Sequence, residues 1–426
     1  MRPHAPPAVN RETVRLLRDN RSFRLLWLAQ AVSLGGDWFT LIALAVLVSR
    51  DSGGSGLAVG GIVVAQVLPM VVVGPFGGVL ADRFDRRRLL VASDLLRALV
   101  VLLLVPVASS GRLPWIYALA LLHFTVSTVF EPTRSALIPR LVEPPRLVAA
   151  YTLGAVTWST MTAAGGIAGG TLLSLLGVTG AFVVDALTFF VSAGLIAAIP
   201  PLPREKGEPA AGPDPAAAPG PGVRLRDGLA WAAAHPADAS GLFIKAIAGV
   251  AIVDGFLVIY GTRVFPHGPD GARSVGLLWA CFGLGALLGP TLLNLANDGT
   301  VGRMRRLVVA GAAFVVTGVF LLAAAPSLAV AGLAIVVRGM GGSANWTYST
   351  ILLQKRVPDR MLGRLFALDL ANTHLVSMVF TLLWGWCIDR IGVRGAAWTA
   401  AAASLVPFAA WTVAVRLMER AGGERA

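Results

Sequence analysis

The chain has 426 residues, of which 56% are hydrophobic and only 14% charged, and its mean hydropathy is +0.72. This composition is more apolar than a soluble domain needs for its core, so it excludes a wholly soluble protein. The net charge of +13 would suggest a nucleic-acid partner in a soluble protein, but here the basic residues lie in short segments between apolar runs. We therefore expect membrane lipid around the protein and no nucleic acid.

Apolar runs follow one another along the chain, each long enough to cross a bilayer at about 20 residues per span. They predict twelve transmembrane helices, six within residues 24–199 and six within residues 239–416. The predicted tails are residues 1–23 and 417–426. We expect no removed signal peptide, because residues 1–23 lead into the first span without a small-residue cleavage site. The predicted spans are 24–49, 58–80, 89–108, 113–133, 148–176, 178–199, 239–262, 273–296, 307–325, 327–350, 362–388 and 393–416.

Residues 200–238 separate the two sets of spans. The stretch 200–222 is rich in Pro, Gly and Ala, a composition that predicts a flexible linker. Leu225, Leu229 and Ala232 then recur at helical spacing beside charged residues. This pattern predicts a short amphipathic helix on the cytoplasmic membrane surface.

The basic residues between the spans are divided unequally. On the side of the N-terminus lie 27 of them, and 6 lie on the opposite side. Because basic loops stay in the cytoplasm, this bias predicts that both termini are cytoplasmic. Arg outnumbers Lys by 33 to 3, a bias typical of GC-rich bacterial genomes. We therefore expect a multi-pass protein of the bacterial cytoplasmic membrane.

The two sets of spans resemble each other. Residues of the first set recur about half a chain later, as expected for duplicated halves, an arrangement on which many secondary transporters are built. At an offset of 214, Thr133, Ser135, Pro144 and Arg146 recur as Thr347, Ser349, Pro358 and Arg360, and at an offset of 215, Gly74, Pro75, Leu80 and Ala81 recur as Gly289, Pro290, Leu295 and Ala296.

The loop after the second span reads GVLADRFDRRR over residues 78–88. It resembles the signature G-x-x-x-D-R-x-G-R-x-R of the major facilitator superfamily, with Asp85 in place of the second glycine. The resemblance implies an all-α integral membrane fold of two pseudo-symmetric six-helix halves, latched on the cytoplasmic side by this loop. Asp82 is the latch candidate, since a carboxylate is favoured at a helix N-terminus, and Arg364 is a candidate partner. Asn297 matches Asp82 in the second half, where the charge is lost.

Further segments are similar to one branch of that superfamily, the bacterial exporters that include enterobactin and macrolide efflux proteins. These segments are 20–27, 36–38, 132–139 and 357–364. The glycine-rich stretch 165–170 is close to the antiporter core G-P-x-x-G-G, but Gly166 stands where that core has Pro, which weakens an inference of antiport. Small residues in this stretch, and Gly285 with Gly289, also predict close packing of helices.

Pairs of opposite charge one helical turn apart lie near the predicted cytoplasmic ends of two spans. We interpret them, together with the loop residues, as a gate network and not as substrate ligands. The gate candidates are Gly78, Asp82, Arg83, Arg87, Asp94, Arg97, Glu131, Arg134 and Arg364.

Charges deeper in the spans need another explanation, because an unpaired charge near the bilayer centre costs at least about 2.5 kcal/mol. Asp37, Asp254 and Asp369 are candidates for proton coupling, with Arg338 as the cation that Asp37 and Asp254 share. A structural ion pair is the alternative. Asp37 ranks first because it lies halfway along its span, whereas Asp254 lies nearer the outer end.

The resemblance also implies a central cavity lined by the first, fourth, seventh and tenth helices. His123 matches Arg338 at an offset of 215, although a lone histidine more often packs between helices. The candidates for the cavity are Arg338, His123, Trp38, Asn345 and Trp346.

The sequence contains no Gly-Lys dipeptide for a P-loop and no His-Glu-x-x-His for zinc. We therefore expect no enzyme, no cofactor and no metal. The leading hypothesis is a monomeric secondary transporter that exports amphipathic small molecules, drug-like or siderophore-like, by alternating access driven by protons. The alternatives are an uptake symporter of the same fold and a non-transporting membrane receptor or scaffold.

Overall fold

The computed structural model describes residues 11–74, 80, 83–201, 225–235 and 240–423. Within these ranges the regular secondary structure is entirely helical, which confirms the predicted all-α class. Nine helical segments of the described part are long and apolar enough to cross a membrane, and α-helices are the natural spanning element because they satisfy their own backbone groups.

The α-helices are numbered here in chain order. They are α1 (Arg11–Asp19), α2 (Arg21–Asp51), α3 (Gly56–Val72), α4 (Arg86–Ala108), α5 (Leu113–Leu141), α6 (Leu147–Ala197), α7 (Leu225–Ala234), α8 (Ile244–Val250), α9 (Asp254–Ile259), α10 (Ala272–Asn294), α11 (Val301–Ala324), α12 (Leu328–Arg356) and α13 (Asp359–Gly423). The helix α7 is the short helix predicted after the linker, and residues 202–224 lie outside the described residues.

Two helices are too long for a single crossing. The helix α6 has 51 residues and α13 has 65, whereas about 20 suffice. Each changes direction at a glycine with positive φ, at Gly177 (φ 69°) and at Gly392 (φ 75°). Glycine adopts this conformation without the strain that a Cβ causes. These turns fall between the fifth and sixth and between the eleventh and twelfth predicted spans. The count of twelve stays a prediction, because α3 has only 17 described residues.

Side-chain caps mark the start of several helices. Asn20, Asp85, Thr300 and Ser327 each accept a hydrogen bond from the backbone N–H three residues later, at 2.8 to 3.4 Å. Such caps satisfy donors that have no partner inside the helix. Asp85, which replaces the second glycine of the loop signature, is therefore the N-cap of α4.

The seventh predicted span, 239–262, is interrupted in the structure. A 3-10 turn (Ser240–Phe243) leads into α8, residues 251–253 leave the helical hydrogen-bond pattern, and α9 continues into a π-helical turn (Tyr260–Val264). The interruption frees backbone carbonyl groups inside an apolar segment, where they need other donors.

The described residues form two compact units that nearly follow the predicted halves. The first comprises Met1–Gly54, Ala65–Pro213 and Gly261–Ala280, and the second comprises Ser55–Val64, Asp214–Tyr260 and Cys281–Ala426. The start of α3 thus packs with the second unit, and the start of α10 packs with the first. The boundaries of the two halves themselves stay a prediction.

Glycines allow close helix crossings within each unit. In the second unit, a Cβ at Gly289 would lie 2.6 Å from the Met340 Cα, and a Cβ at Gly285 would lie 3.0 Å from the Met340 nitrogen. These distances are shorter than van der Waals contact, so only glycine fits. The predicted packing role of Gly285 and Gly289 is confirmed, with α12 as the partner helix.

Candidate functional site

Three helices of the first unit bring charged side chains together in its interior. On α4, Arg97 forms an ion pair with Asp94 one turn earlier, and its second amino group lies 3.5 Å from the Asp37 carboxylate on α2. The Arg97 side chain is only 2% exposed. Its guanidinium lies over the rings of Phe130 and Phe189, at 4.5 and 4.3 Å from their centroids. Such cation–π contacts replace part of the lost hydration.

His123 on α5 lies beside the same carboxylate. Its Nε2 is 3.6 Å from the Asp37 Oδ1, and the ring is buried against Phe189. The His123 Nδ1 has no hydrogen-bond partner among the described residues. His123 therefore places an imidazole ring beside Asp37 in addition to packing against Phe189.

A third carboxyl group, Asp185 on α6, is fully buried near Asp37 and interacts with it electrostatically. The Thr40 hydroxyl donates a 2.5 Å hydrogen bond to the Asp185 Oδ2, and the Thr188 hydroxyl donates to its Oδ1 at 3.2 Å. Ser192 donates to the Asp94 Oδ2 at 2.6 Å. Each carboxyl group thus has hydroxyl or guanidinium partners.

We call Asp37, Asp94, Arg97, His123 and Asp185 the amino-terminal cluster. It holds three carboxyl groups but one guanidinium, so the fully ionised cluster with neutral His123 would carry two excess negative charges. A buried charge must be paired or neutralised. Asp37 is 31% exposed, whereas the Asp94 and Asp185 carboxyl groups are buried, so Asp37 is the accessible member.

The second unit contains a smaller site. Lys245 on α8 forms a buried ion pair with Asp369 on α13, and its ammonium lies 4.5 Å from the centroid of the Trp346 ring. The Asp369 Oδ1 has no hydrogen-bond partner in the described part of the chain. We call Lys245 and Asp369 the carboxy-terminal pair. Its charges cancel, in contrast to those of the amino-terminal cluster.

Arg338 on α12 donates hydrogen bonds to the backbone of the interrupted seventh span. It donates to the Ala251 carbonyl at 3.2 and 3.4 Å and to the Ala248 carbonyl at 3.3 Å, which are groups freed by the interruption. Asp254 interacts with Arg338 electrostatically without a close ion pair. The structure gives Asp37 a different cation from the predicted one, since Arg97 occupies that place. The Arg338 Nε and Nη2 donate to backbone oxygens, and no carboxylate of the described residues lies at ion-pair distance from Arg338.

The other cavity candidates differ in exposure. Trp38 packs edge-on against Trp279, with ring centroids 5.2 Å apart, and is nearly buried. Asn345 is fully buried against Gly311 of α11, and its place in a cavity stays a prediction. Its side-chain nitrogen and oxygen have no partner among the described residues. Trp346 is 46% exposed.

Several gate candidates bind backbone or neighbouring side chains. Arg87 donates to the carbonyls of Ile196 and Ala197 at the end of α6, with the Ile196 bond at 3.2 Å. It therefore caps a helix C-terminus, where a cation is favoured. Arg83 is exposed, and Gly78 and Asp82 lie outside the described residues.

The remaining gate candidates form local contacts. Glu131 and Arg134 form the predicted ion pair, at 2.5 and 2.9 Å, and Arg364 donates to the Met361 sulfur at 2.8 Å. The Asp94–Arg97 pair was predicted to belong with them, but it lies in the amino-terminal cluster. Its separation from Asp37 in sequence concealed their contact.

Sequence reasoning missed Asp185 and Lys245 as site residues. Each is a single charge in an apolar run, which is the signal that singled out Asp37. The hydroxyl partners Thr40 and Ser192 gave no such signal, because serine and threonine are common in membrane helices, where they bond to backbone carbonyls.

The apolar helices, their glycine-lined crossings and the charges buried between them define a multi-pass α-helical membrane protein of the transporter type. The family model described as Major Facilitator Superfamily matches residues 26–371, which is most of the chain. The chain therefore belongs to the major facilitator superfamily. Members of this superfamily are transporters and not enzymes; they bind small-molecule substrates and reside in membrane lipid.

Related curated proteins include exporters. Macrolide efflux protein A of Streptococcus pyogenes is 25% identical over 87% of this chain and 90% of its own length. The enterobactin exporter EntS of Shigella boydii is 27% identical over 87% of this chain and 86% of its own. The MFS-type transporter YfiS of Bacillus subtilis is 28% identical, and that match spans 43% of this chain and less than half of YfiS, 44%.

Solved structures share the fold at low identity. The nucleoside transporter NupG (D323A mutant) superposes with a TM-score of 0.73 at 11% identity, covering 92% of this chain and 99% of NupG. A bacterial homologue of the iron transporter ferroportin, in an inward-facing state, gives 0.70 at 13% identity, with 93% and 98% covered. At these identities the likeness shows the fold alone.

Proposed function

We propose that this transporter is a proton-driven exporter of amphipathic small molecules. In this proposal it works as a monomer in the bacterial cytoplasmic membrane, with both termini in the cytoplasm. The observation that carries the proposal is the amino-terminal cluster, in which three carboxyl groups lie with one guanidinium, that of Arg97, and only Asp37 is accessible.

The contacts of Asp37 suggest how a proton acts. While Asp37 is ionised, Arg97 is attracted to carboxylates on two helices, α2 and α4. Once Asp37 binds a proton, Arg97 retains only Asp94 as an ionised partner at ion-pair distance. Proton binding therefore weakens a link between α2 and α4, and a conformational equilibrium shifts by the differential free energy of that link.

His123 gives the proton a second location beside Asp37. Its Nε2 faces the carboxylate, and its Nδ1 is buried without a partner. A proton on His123 converts the 3.6 Å contact into an ion pair, whereas a proton on Asp37 removes the need for one. In this proposal the two side chains are alternative positions for one proton.

The direction of transport is proposed from the relatives that match along most of their length. They include a macrolide efflux protein, an enterobactin exporter and a putative bacilysin exporter of Bacillus amyloliquefaciens, which is 24% identical over 86% of this chain. The first two names supply the probes for a test, a macrolide and enterobactin.

The test uses everted membrane vesicles with an acidic lumen, in which an exporter accumulates its substrate. We expect accumulation of at least one probe that a protonophore abolishes. Asp37→Asn should abolish accumulation against a gradient but retain downhill exchange, because only the titrating group is lost. Asp19→Asn, an exposed carboxylate on α1, is the matched control and should transport normally.

The other outcomes separate the alternatives. Accumulation in right-side-out vesicles energised with an acidic exterior would indicate an uptake symporter of the same fold. An Asp37→Asn protein that still concentrates substrate would exclude Asp37 as the coupling residue. Movement of neither probe in either orientation would contradict the proposed substrate class.

A further inference from the structure

The helix α3 begins with backbone donors that another helix satisfies. The N–H groups of Gly56 and Leu57 donate to the two carboxylate oxygens of Asp389, at 2.6 and 3.1 Å, and the Ser55 hydroxyl donates to Asp389 at 2.9 Å. Ser55 in turn accepts from the Ala58 N–H at 3.2 Å. First-turn N–H groups have no partner inside a helix, and the helix dipole favours an anion there.

The two helices touch through glycine. A Cβ at Gly56 would lie 2.7 Å from the Gly385 carbonyl oxygen, and a Cβ at Gly385 would lie 2.6 Å from the Gly56 oxygen. One turn further, a Cβ at Gly60 would lie 3.2 Å from the Thr381 oxygen. The spacing of Gly56 with Gly60, and of Thr381, Gly385 and Asp389, places each set on one helix face.

The residues around Asp389 repeat the signature of the loop at 78–88. Residues 385–392 read GWCIDRIG, so Gly385, Asp389 and Arg390 stand where the loop has Gly78, Asp82 and Arg83, each 307 residues later. This copy has the second glycine, Gly392, at which α13 turns with φ 75°. The same pattern therefore follows the second span and ends the eleventh.

The start of α3 belongs to the same compact unit as α13. Ser55–Val64 is part of the second unit, whereas the rest of the first six predicted spans belongs to the first unit. The hydrogen bonds to Asp389 therefore lie within one compact unit.

We propose that Asp389 is a lock on the start of α3 that transport must open in every cycle. The inference rests on the proposed alternating-access function. Asp389, at the end of the eleventh predicted span, holds the first turn of α3 while these hydrogen bonds are formed. When the bonds break, the start of α3 and the Asp389 turn of α13 can separate.

The test measures the distance between α3 and α13 directly. Spin labels are placed at Leu57 and Ile391, whose side chains are 44% and 53% exposed, in a protein whose Cys281 and Cys387 are replaced. The full-length protein is reconstituted in liposomes, and the spin–spin distance distribution is recorded. Asp389→Asn should increase the population with separated labels by about 2-fold to 30-fold, the range that a charge at a helix end corresponds to. Asp389→Glu should restore most of the close population.

Asp298→Asn is the matched control, because Asp298 is an exposed carboxylate in the loop before α11 and should leave the distribution unchanged. Distances need no substrate, so the lock is testable even if neither transport probe moves. If Asp389→Asn does not fold, Ser55→Ala removes one bond of the lock and should separate the labels to a smaller extent. A distribution unchanged in every folded variant of Asp389 and Ser55 would overturn the proposal.

Discussion

The amino-terminal cluster holds three carboxyl groups and one guanidinium, whereas in the carboxy-terminal pair the charges of Lys245 and Asp369 cancel. The clusters also differ in hydrogen bonding. In the amino-terminal cluster, hydroxyl groups donate hydrogen bonds to the carboxylates. In the carboxy-terminal pair, the Asp369 Oδ1 has no hydrogen-bond partner among the described residues. In a region with excess carboxyl groups, bound protons would reduce the excess negative charge. A pair of opposite charges is already neutral and needs no bound proton. The difference therefore favours proton binding in the first unit and a fixed link in the second.

The largest expected effect is at Arg97. Arg97→Leu leaves Asp94 and Asp37 without their cation in a buried site, so we expect a loss of about 3 to 5 kcal/mol in the free energy of unfolding. Thermal unfolding in detergent measures it. Arg134→Leu is the control, because its partner Glu131 is 59% exposed and the loss should be about 1 kcal/mol or less. Equal losses in the two variants would show that the cluster is not held by Arg97.

The carboxy-terminal pair should behave as a fixed link. Lys245→Met should lower the free energy of unfolding by about 3 kcal/mol, because it leaves the buried Asp369 carboxylate without its cation. The double variant Lys245→Met, Asp369→Leu should regain most of that loss, since apolar replacements of buried pairs are often neutral. A double-mutant cycle by thermal unfolding measures the coupling. A double variant as unstable as the single one would mean that the pair has a role beyond mutual neutralisation.

A smaller effect tests the charge of Asp185, which accepts hydrogen bonds from Thr40 and Thr188 but has no cation at ion-pair distance among the described residues. If Asp185 is neutral, Thr40→Val should cost about 0.5 to 1.5 kcal/mol, as for a neutral hydrogen bond. A loss of about 1.5 to 3 kcal/mol would instead indicate an ionised carboxylate. Thr381→Val is the control, because the buried Thr381 hydroxyl has no partner among the described residues and its removal should not destabilise the protein.

The smallest effect concerns the latch residue. Asp82→Asn should leave the protein folded but impair transport, since the loss of a charge at a helix end is worth about 0.3 to 2 kcal/mol. Substrate flux in vesicles measures the impairment. Asn297→Ala, at the matching position of the second half, is the control and should leave transport unchanged. Wild-type flux in a normally expressed Asp82→Asn protein would contradict the latch role.

The fold class could be predicted from the sequence, because an apolar run long enough to cross the lipid bilayer must form a helix to satisfy its backbone groups. The turns at Gly177 and Gly392 also fell at predicted boundaries. The interruption of the seventh span after α8 could not be predicted. Residues 251–253 contain no proline or glycine, and the donors that make the interruption stable come from Arg338, more than 80 residues away.

The sequence predicted most of the charged residues of the site but not which of them lie close together. Spacing along one helix predicts the Asp94–Arg97 pair, since residues three apart share a face. No spacing rule connects Asp37 to Arg97, because that contact depends on how α2 and α4 cross. Nor does spacing predict that Asn345 lies against Gly311, because that contact depends on how α11 and α12 cross.

The glycine turn at Gly177 has a consequence for biosynthesis. The residues around it, Leu176 and Val178, are apolar, so the two arms of α6 are joined by no hydrophilic loop that a ribosome-bound translocase would have to carry across separately. The arms are expected to enter the bilayer together as a helical hairpin. Any L-amino acid at Gly177 would meet a penalty of about 1 to 2 kcal/mol at the tip of that hairpin, so its effect would appear first as a lower yield of inserted protein.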